Sequence, residues 1–453
     1  MLLNALYLVV VVAILPWVAW RRLSGGRPVA APWTRLTGNI PPPVTAGDGP
    51  RIWLHGVSVG EVQLLSVLAA EIRRQAGDAG KAVDCVCSSS TTTGLDVASK
   101  RFGADRSFPC PLDFTWAVDR VLDRVRPDLL VLGELELWPN LLARVQARGI
   151  PIVVANARMS EKSSRGYARI APLVRRMLGR VSLVVARSRE DADRFTAFTP
   201  PHGCPVVVAG SMKFDGVKGD REAADVARLA GLAGIASDDV VFLAGSTQAP
   251  EEQLAVDAFR GLAADHPRLR LVIVPRHVER TAEIAALLDR AGVSWQLRSR
   301  LEARRTRVED PPPRVLLVDT TGELGWWWGT ADVAFVGGSL DGRRGGQNML
   351  EPAAYGAAVS FGPHTRNFRD EVGRLLAADA AVVVADGGAL TEFVRRCLDE
   401  EGFAASLGRR AAELVASQRG ATATTAREIL ALLPPSRRDR DQGPFSRLPK
   451  PHR

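Results

Sequence analysis

Residues 129–157 read LLVLGELELWPNLLARVQARGIPIVVANA. The apolar run at 129–132 is short enough for a buried strand, and a polar loop follows it. Pro139 then stands where a first helical turn tolerates proline, and a second apolar run begins at 152. Strand, helix and strand in that order predict a parallel βαβ unit. The same alternation extends in both directions. Candidate strands lie at 52–55, 83–86, 183–186 and 206–209, with helical stretches such as 62–74 and 117–125 between them. Around 216–239 the chain turns polar and Gly/Ala-rich without a strand signal. It then restarts, with strands expected at 240–244, 269–274, 315–318, 333–336, 358–361 and 381–384. The reading is α/β, with two Rossmann-like doubly wound domains at 51–215 and 216–433. Ligands of such sheets bind beyond the carboxyl ends of the strands, so two facing domains imply a cleft.

The flanks differ in kind. Residues 2–20 are apolar apart from Asn4, and Arg21-Arg22 follow Trp17 and Trp20. That length and that border predict a transmembrane anchor at 1–22 with the remainder on the cytoplasmic side. A Gly/Pro-rich linker is expected at 23–50 and a disordered basic tail at 434–453.

The chain has 453 residues and a net charge of +9, which invites nucleic-acid or anionic-membrane partners. The charge is concentrated: 21–35 and 434–453 each carry +4, leaving +1 for the folded bulk. A nucleic-acid-binding domain is therefore not expected. Five cysteines without metal-ligand spacing argue against a disulfide framework or zinc site, and Cys85 and Cys87 read as small hydrophobes in a buried strand.

No G-x-G-x-x-G follows a strand, and neither a Walker lysine motif nor a G-x-S-x-G elbow is present. The chemistry must come from other strand ends. His55-Gly-Val-Ser58-Val-Gly60-Glu61 joins a strand to a helix, where Glu61 is either a proton acceptor or a helix cap. Glu134 and Glu136 follow the 129–132 strand. Lys213, in GSMKFD at 210–215, either faces an anion or is solvated. In the second half, GST at 245–247, Pro275-Arg276, Asp319 to Leu324, and the glycine pairs 337–338 and 345–346 mark successive strand ends. Glycine there lets backbone amides approach a phosphate, arginine can grip one bidentately, and a carboxylate such as Glu351 can take ribose hydroxyls. The pattern suits a nucleotide.

These stretches, in this order, resemble the Kdo (3-deoxy-D-manno-octulosonic acid) transferases of lipopolysaccharide assembly. The match runs through WLHGVSVGEV (53–62), SSSTTTG (88–94), PLDF (111–114), ELELWPN (134–140), NARMSEKS (156–163) and GSMKFD (210–215). It continues through GST (245–247), VPRHVER (274–280), DTTGEL (319–324), FVGGSL (335–340), GGQNMLEP (345–352) and GPHTRNF (362–368). The resemblance implies a GT-B glycosyltransferase, acceptor side first and donor side second. Such an enzyme moves Kdo from CMP-Kdo onto a lipid A precursor, with inversion and without a metal or other cofactor. It implies Glu61 as general base, with Glu136 and Lys213 stabilising the transition state. It also implies Pro275, Arg276, Thr321, Gly322, Glu323, Asn348, Met349, Leu350 and Glu351 as holding CMP. The expected location is the inner membrane, beside anionic lipids. Another nucleotide sugar as donor and a non-catalytic membrane-tethered scaffold are the alternatives.

Two positions depart from the family pattern. Gln248 and Gln347 stand where the family usually has histidine, and the loop at 341–344 is one residue longer. Glutamine donates and accepts hydrogen bonds but carries no proton charge, so contacts to the donor are where a difference is expected. Asp439-Arg-Asp441, in the tail, reads as solvated charge.

Overall fold

The computed structural model describes residues 3–9, 11, 13, 31–43, 49–200, 203–301 and 312–434. The chain forms two compact units. The first takes in the chain up to Gly216 and again from Arg419, and the second is Val217–Gln418.

The first unit is built on a seven-stranded parallel sheet. Its strands are β1 (Arg51–Gly56), β2 (Asp84–Ser89), β3 (Ser107–Pro109), β4 (Leu129–Gly133), β5 (Ile152–Ala157), β6 (Leu183–Ala186) and β7 (Val206–Val208), in the order β3-β2-β1-β4-β5-β6-β7. Alternate residues feed two separate cores. Trp53, Val86, Leu130 and Val154 face one; Leu54, Cys85, Cys87, Val131 and Val153 face the other. Burial on both faces is why these strands read as unbroken apolar runs. All five cysteines are free, and four of them are buried.

The second unit repeats the architecture. Its strands are β8 (Val240–Thr247), β9 (Leu269–Pro275), β10 (Trp295–Leu297), β11 (Val315–Leu317), β12 (Val333–Val336), β13 (Ala358–Phe361) and β14 (Ala381–Val383), in the order β10-β11-β9-β8-β12-β13-β14. All its pairings are parallel. Each sheet reverses its direction of growth once, between β1 and β4 in the first and between β8 and β12 in the second. Crevices open at such switch points, beyond the carboxyl ends of the strands.

Three sequence expectations change. The short edge strands β3 and β10 were not foreseen. The final helical stretch, expected in the second domain to 433, breaks at Gln418–Gly420, and its last helix, Ala421–Ala431, packs on the first unit. Ala421, Ala426 and Ile429 share a core there with Val62, Leu65 and Ile72 of the helix Val59–Asp78. Part of the linker is also built in: Pro32–Thr37 is a helix, Ile40 is fully buried, and Arg35 donates to the carbonyls of Cys110 and Ser90.

Most of the expected anchor lies outside the described residues, as does the tail from 435 with Asp439 and Asp441. Among the described residues no helix is long and apolar enough to cross a membrane. Within 3–9, the polar residues turn inward. Asn4 donates to Thr115 Oγ1 (2.7 Å) and Tyr7 to Asp113 Oδ2 (3.0 Å), while Leu6, Leu8 and Val9 are exposed.

Candidate functional site

The first constellation grows from the switch point of the first sheet. β1 ends at Gly56, and the helix Val59–Asp78 starts at Ser58. Ser58 Oγ accepts from the Glu61 N–H (3.3 Å) and donates to Glu61 Oε1 (2.7 Å), while the Val57 N–H donates to Oε2 (2.8 Å). Ser58 caps the helix and the carboxylate reaches back past it to Val57, so it is oriented by the same contacts that start the helix. Space for it comes from two glycines. A Cβ on Gly56 would lie 3.1 Å from the Glu61 Cβ, and one on Gly133, at the end of β4, would lie 3.8 Å from it.

SSSTTTG braces this loop. Ser89 Oγ and Thr91 Oγ1 both donate to the Val57 carbonyl (3.1 and 2.8 Å), and a Cβ on Gly94 would fall 2.2 Å from Ser89 Oγ. His55 lies below it, fully buried, with Nδ1 2.9 Å from Ser88 Oγ and Nε2 without a partner among the described residues. Burial pushes its pKa down to about 4, so it is a neutral core residue.

β4 stops at Gly133, and Glu134 takes a left-handed backbone (φ 56°). The strand therefore does not continue through both glutamates. Burial raises the Glu134 pKa, the Glu61 charge adds to this, and Arg187, Lys213 and Arg158 oppose it. Burial also raises that of Glu136. The Trp138 indole N–H, 2.9 Å from Oε2, offsets this in part, while Glu61 and Glu134 add to the rise. Three acids from β1 and β4 thus share one electrostatic neighbourhood with three cations that follow β5, β6 and β7. Asp113 of PLDF is structural: it accepts from the Asn140 and Leu141 N–H groups and so caps the helix Pro139–Ala147.

Lys213 lies on the single turn Met212–Phe214. That turn is pinned at both ends. The Met212 N–H donates to Asn156 Oδ1 (3.2 Å), and Asp215 accepts from the Gly420 and Thr422 N–H groups (2.6 Å each) at the start of the last helix. Arg158, Arg187 and Asn156, which has φ 52°, were not selected from sequence. Asn156, within β5, and Arg158, directly after it, lie in the NARMSEKS stretch; Arg187 had only its position after β6 as a signal.

In the second unit, Pro275 is the buried end of β9, and Arg276 is exposed beyond it with its N–H on the Thr247 carbonyl. Glu351 is half-buried; desolvation of its carboxylate raises its pKa, while Asn348, Trp328, Lys218 and Arg276 act the other way. Asn348 Nδ2 donates to Glu351 Oε1 (3.1 Å), and its Oδ1 accepts from the Leu350 N–H (3.2 Å). Met349 and Leu350 are fully buried, so neither is exposed to a ligand in this structure. Thr321 and Gly322 are exposed, Gly322 with φ 86°. The Glu323 carboxylate is already engaged by Arg298 (2.9 and 2.7 Å) and Thr320 (2.6 Å). Burial works upward on it, but these bonds hold its pKa below the usual value. Its side chain is a buttress for the loop 319–322.

One expectation is corrected. The glycine pair 337–338 does not offer its amides to a phosphate. The Glu251 carboxylate accepts from the N–H groups of Gly338 (2.7 Å), Ser339 (3.0 Å), Leu340 (3.2 Å) and Gln248 (2.9 Å). Sequence reasoning missed Glu251 because its partners lie far along the chain. The 341–346 loop is clasped by Arg366, on the carbonyls of Gly342 and Arg343, and by Asn367, on that of Arg344.

Comparison with known proteins adds to this geometry. A sequence model of the family described as 3-Deoxy-D-manno-octulosonic-acid transferase (kdotransferase) matches residues 32–216. A 3-deoxy-D-manno-octulosonic acid transferase of Haemophilus influenzae is 32% identical over 85% of this chain and 86% of its own. One from Bordetella pertussis is 32% identical over 90% and 93%. A solved glycosyltransferase of Rickettsia africae covers 86% of this chain and all of its own with a TM-score of 0.50. At 12% identity that likeness concerns the fold, which is GT-B-like.

Proposed function

The chain belongs to the 3-deoxy-D-manno-octulosonic acid (Kdo) transferase family of glycosyltransferases, and from that premise we propose that it moves Kdo from CMP-Kdo to a lipid A precursor with Glu61 as general base. The observation that carries the base assignment is the Glu61 carboxylate at the β1/β4 switch point, held by Ser58 and Val57 and given room by Gly56 and Gly133.

The chemistry follows from the groups present. The acceptor's hydroxyl oxygen attacks the anomeric carbon of the donor, its proton passes to Glu61, and the bond to CMP breaks. A positioned carboxylate typically contributes ~10²–10⁴-fold to such a step. Glu134 and Glu136, whose pKa values burial raises, share the electrostatic neighbourhood of Glu61. The Kdo carboxylate and the charge developing in the transition state call for cations, the role given to Lys213, with Glu136 completing the surroundings. The leaving phosphate calls for Arg276 and for backbone donors at Thr321 to Glu323. Asn348 through Glu351 take the nucleoside: the half-buried Glu351 carboxylate is an acceptor suited to ribose hydroxyls.

The test is transfer from CMP-Kdo to a lipid A precursor by the purified protein. Glu61→Gln should lose about two to four orders of magnitude in kcat, with little change in donor KM. Full turnover in that variant would overturn the base assignment. Stronger competition by a UDP-sugar than by CMP would overturn the donor.

The inner-membrane location is part of the same reading. It is supported by the apolar 2–20 stretch ending in Arg21-Arg22, and by Asn4 and Tyr7 docking inward while Leu6, Leu8 and Val9 face outward.

A further inference from the structure

The second sheet's switch point, between β8 and β12, holds a cluster that the nucleotide assignments leave unused. Gln248 follows β8, and Gly338 follows β12. Gln347 enters from the long loop. The three meet: a Cβ built on Gly338 would lie 3.3 Å from Gln248 Nε2 and 3.4 Å from Gln347 Nε2. Two side-chain amides separated by 99 residues therefore flank one point, kept open because position 338 has no side chain.

The site is built and unsatisfied. Gln248 is 7% exposed and Thr247 fully buried, yet Gln248 Oε1 and Thr247 Oγ1 have no hydrogen-bond partner among the described residues. Buried polar atoms without partners cost stability, so their presence at a switch point indicates a ligand that completes them.

The character of that ligand follows from what the cluster lacks. The backbone amides that would suit a phosphate or carboxylate are occupied by Glu251. What flanks the point beside Gly338 is two neutral amides, each able to donate and accept. Anions only accept and would leave the orphaned acceptors unpaired, whereas sugar hydroxyls do both.

We propose that Gln248 and Gln347, facing each other across Gly338 beside Thr247, form a specificity subsite for the neutral, hydroxyl-bearing part of the transferred sugar. The proposal rests on the CMP-Kdo reading above. It separates the donor's recognition in two: charged and backbone groups near Arg276 and Glu351 hold the nucleotide, and the amide pair reads the sugar.

The experiment measures donor KM and kcat for CMP-Kdo and, in parallel, the inhibition constant of CMP alone, for Gln248→Ala, Gln347→Ala and the double variant. Each single variant should raise KM for CMP-Kdo about 3- to 10-fold, the loss expected for one hydrogen bond, and leave CMP inhibition within about twofold of wild type. The unchanged CMP value also reports that the fold survives. Gln347 is only half-buried, so its variant serves as the check if Gln248→Ala disturbs packing. Because both amides address one sugar, the double variant should cost less than the product of the singles. Wild-type donor KM in both single variants, or weakened CMP binding in step with CMP-Kdo, would overturn the subsite. A wild-type protein that does not transfer from CMP-Kdo would instead overturn the donor reading and the ligand assigned here with it.

Discussion

At Glu61 the carboxylate that opens a helix is also the one proposed to accept the acceptor's proton. The capping contacts from Ser58 and Val57 fix its orientation, and a base already oriented loses little freedom when it acts. His55, six residues earlier, shows how sharply the environment changes at this edge. Its ring is fully buried, and its pKa is pushed down to about 4 from the ordinary 6.5 by burial, with the Arg35 charge adding to the effect and the Ser88 backbone contact opposing it. In the unfolded chain the imidazole binds a proton below about pH 6.5; in the folded protein it stays neutral until about pH 4. Its contribution to stability is therefore intact above 6.5 and is lost as pH falls through that window. A shift of this size corresponds to about 3 kcal/mol. Urea denaturation of the wild type and His55→Gln at pH 7.5, 6, 5 and 4.5 should show the difference between them narrowing or reversing in favour of the variant as pH falls. A pH-independent difference would mean the ring titrates normally.

At the scale of elements, single carboxylates join distant segments. Asp215 closes the turn that carries Lys213 and caps the helix Ala421–Ala431 through the Gly420 and Thr422 amides. Asp215→Ala should cost ~0.5–2 kcal/mol, as loss of an N-cap does, and Asp215→Asn should cost less because it keeps one acceptor; urea midpoints measure both. Glu251 ties the loop after β8 to the loop after β12 through four backbone N–H groups, and Glu251→Ala should leave several of them buried without partners. At ~1–3 kcal/mol per orphaned group the loss should exceed about 3 kcal/mol, read as a fall in thermal midpoint relative to Gln248→Ala. These ties explain what sequence reading reached and what it missed. Runs of four or more apolar residues, such as 129–132 or 333–336, declare a strand buried on both faces. β3 and β10 have three residues each, with Ser and Pro or a Gln among them, and lie at sheet edges where no such run is needed. Glu61 could be placed at a helix entry, but its sequence signature is the same for a cap and for a base, and only the resemblance separated the two. Glu251 was not singled out from sequence, because three of the four amides it holds lie 87 to 89 residues away.

At the scale of the molecule, the two units are not equivalent pieces of chain. The second is one continuous segment, Val217–Gln418, with its own sheet and core. The first is discontinuous: the chain leaves it after Gly216 and returns at Arg419, and the returning helix completes a core facing the helix that bears Glu61. Ala421, Ala426 and Ile429 join Val62, Leu65, Leu68 and Ile72 in one core, and each large apolar side chain left uncovered forfeits ~1.5–3 kcal/mol. A protein ending at 418 should therefore lose stability in its first unit while its second stays folded. The segment 217–418 expressed alone should unfold cooperatively and bind CMP. A full-length chain with Ile429→Ala should lie between the extremes, at a cost of ~2–5 kcal/mol, since it leaves a cavity beneath the last helix. Hydrogen exchange localises the effect. Protection should fall across the helix Val59–Asp78 and strands β1 and β4, and persist in β8, β9 and β12. If truncation at 418 instead left the first unit's protection intact, the returning helix would be a bystander, and the Asp215 contacts at its start would be a consequence of its position rather than a means of holding the Lys213 turn.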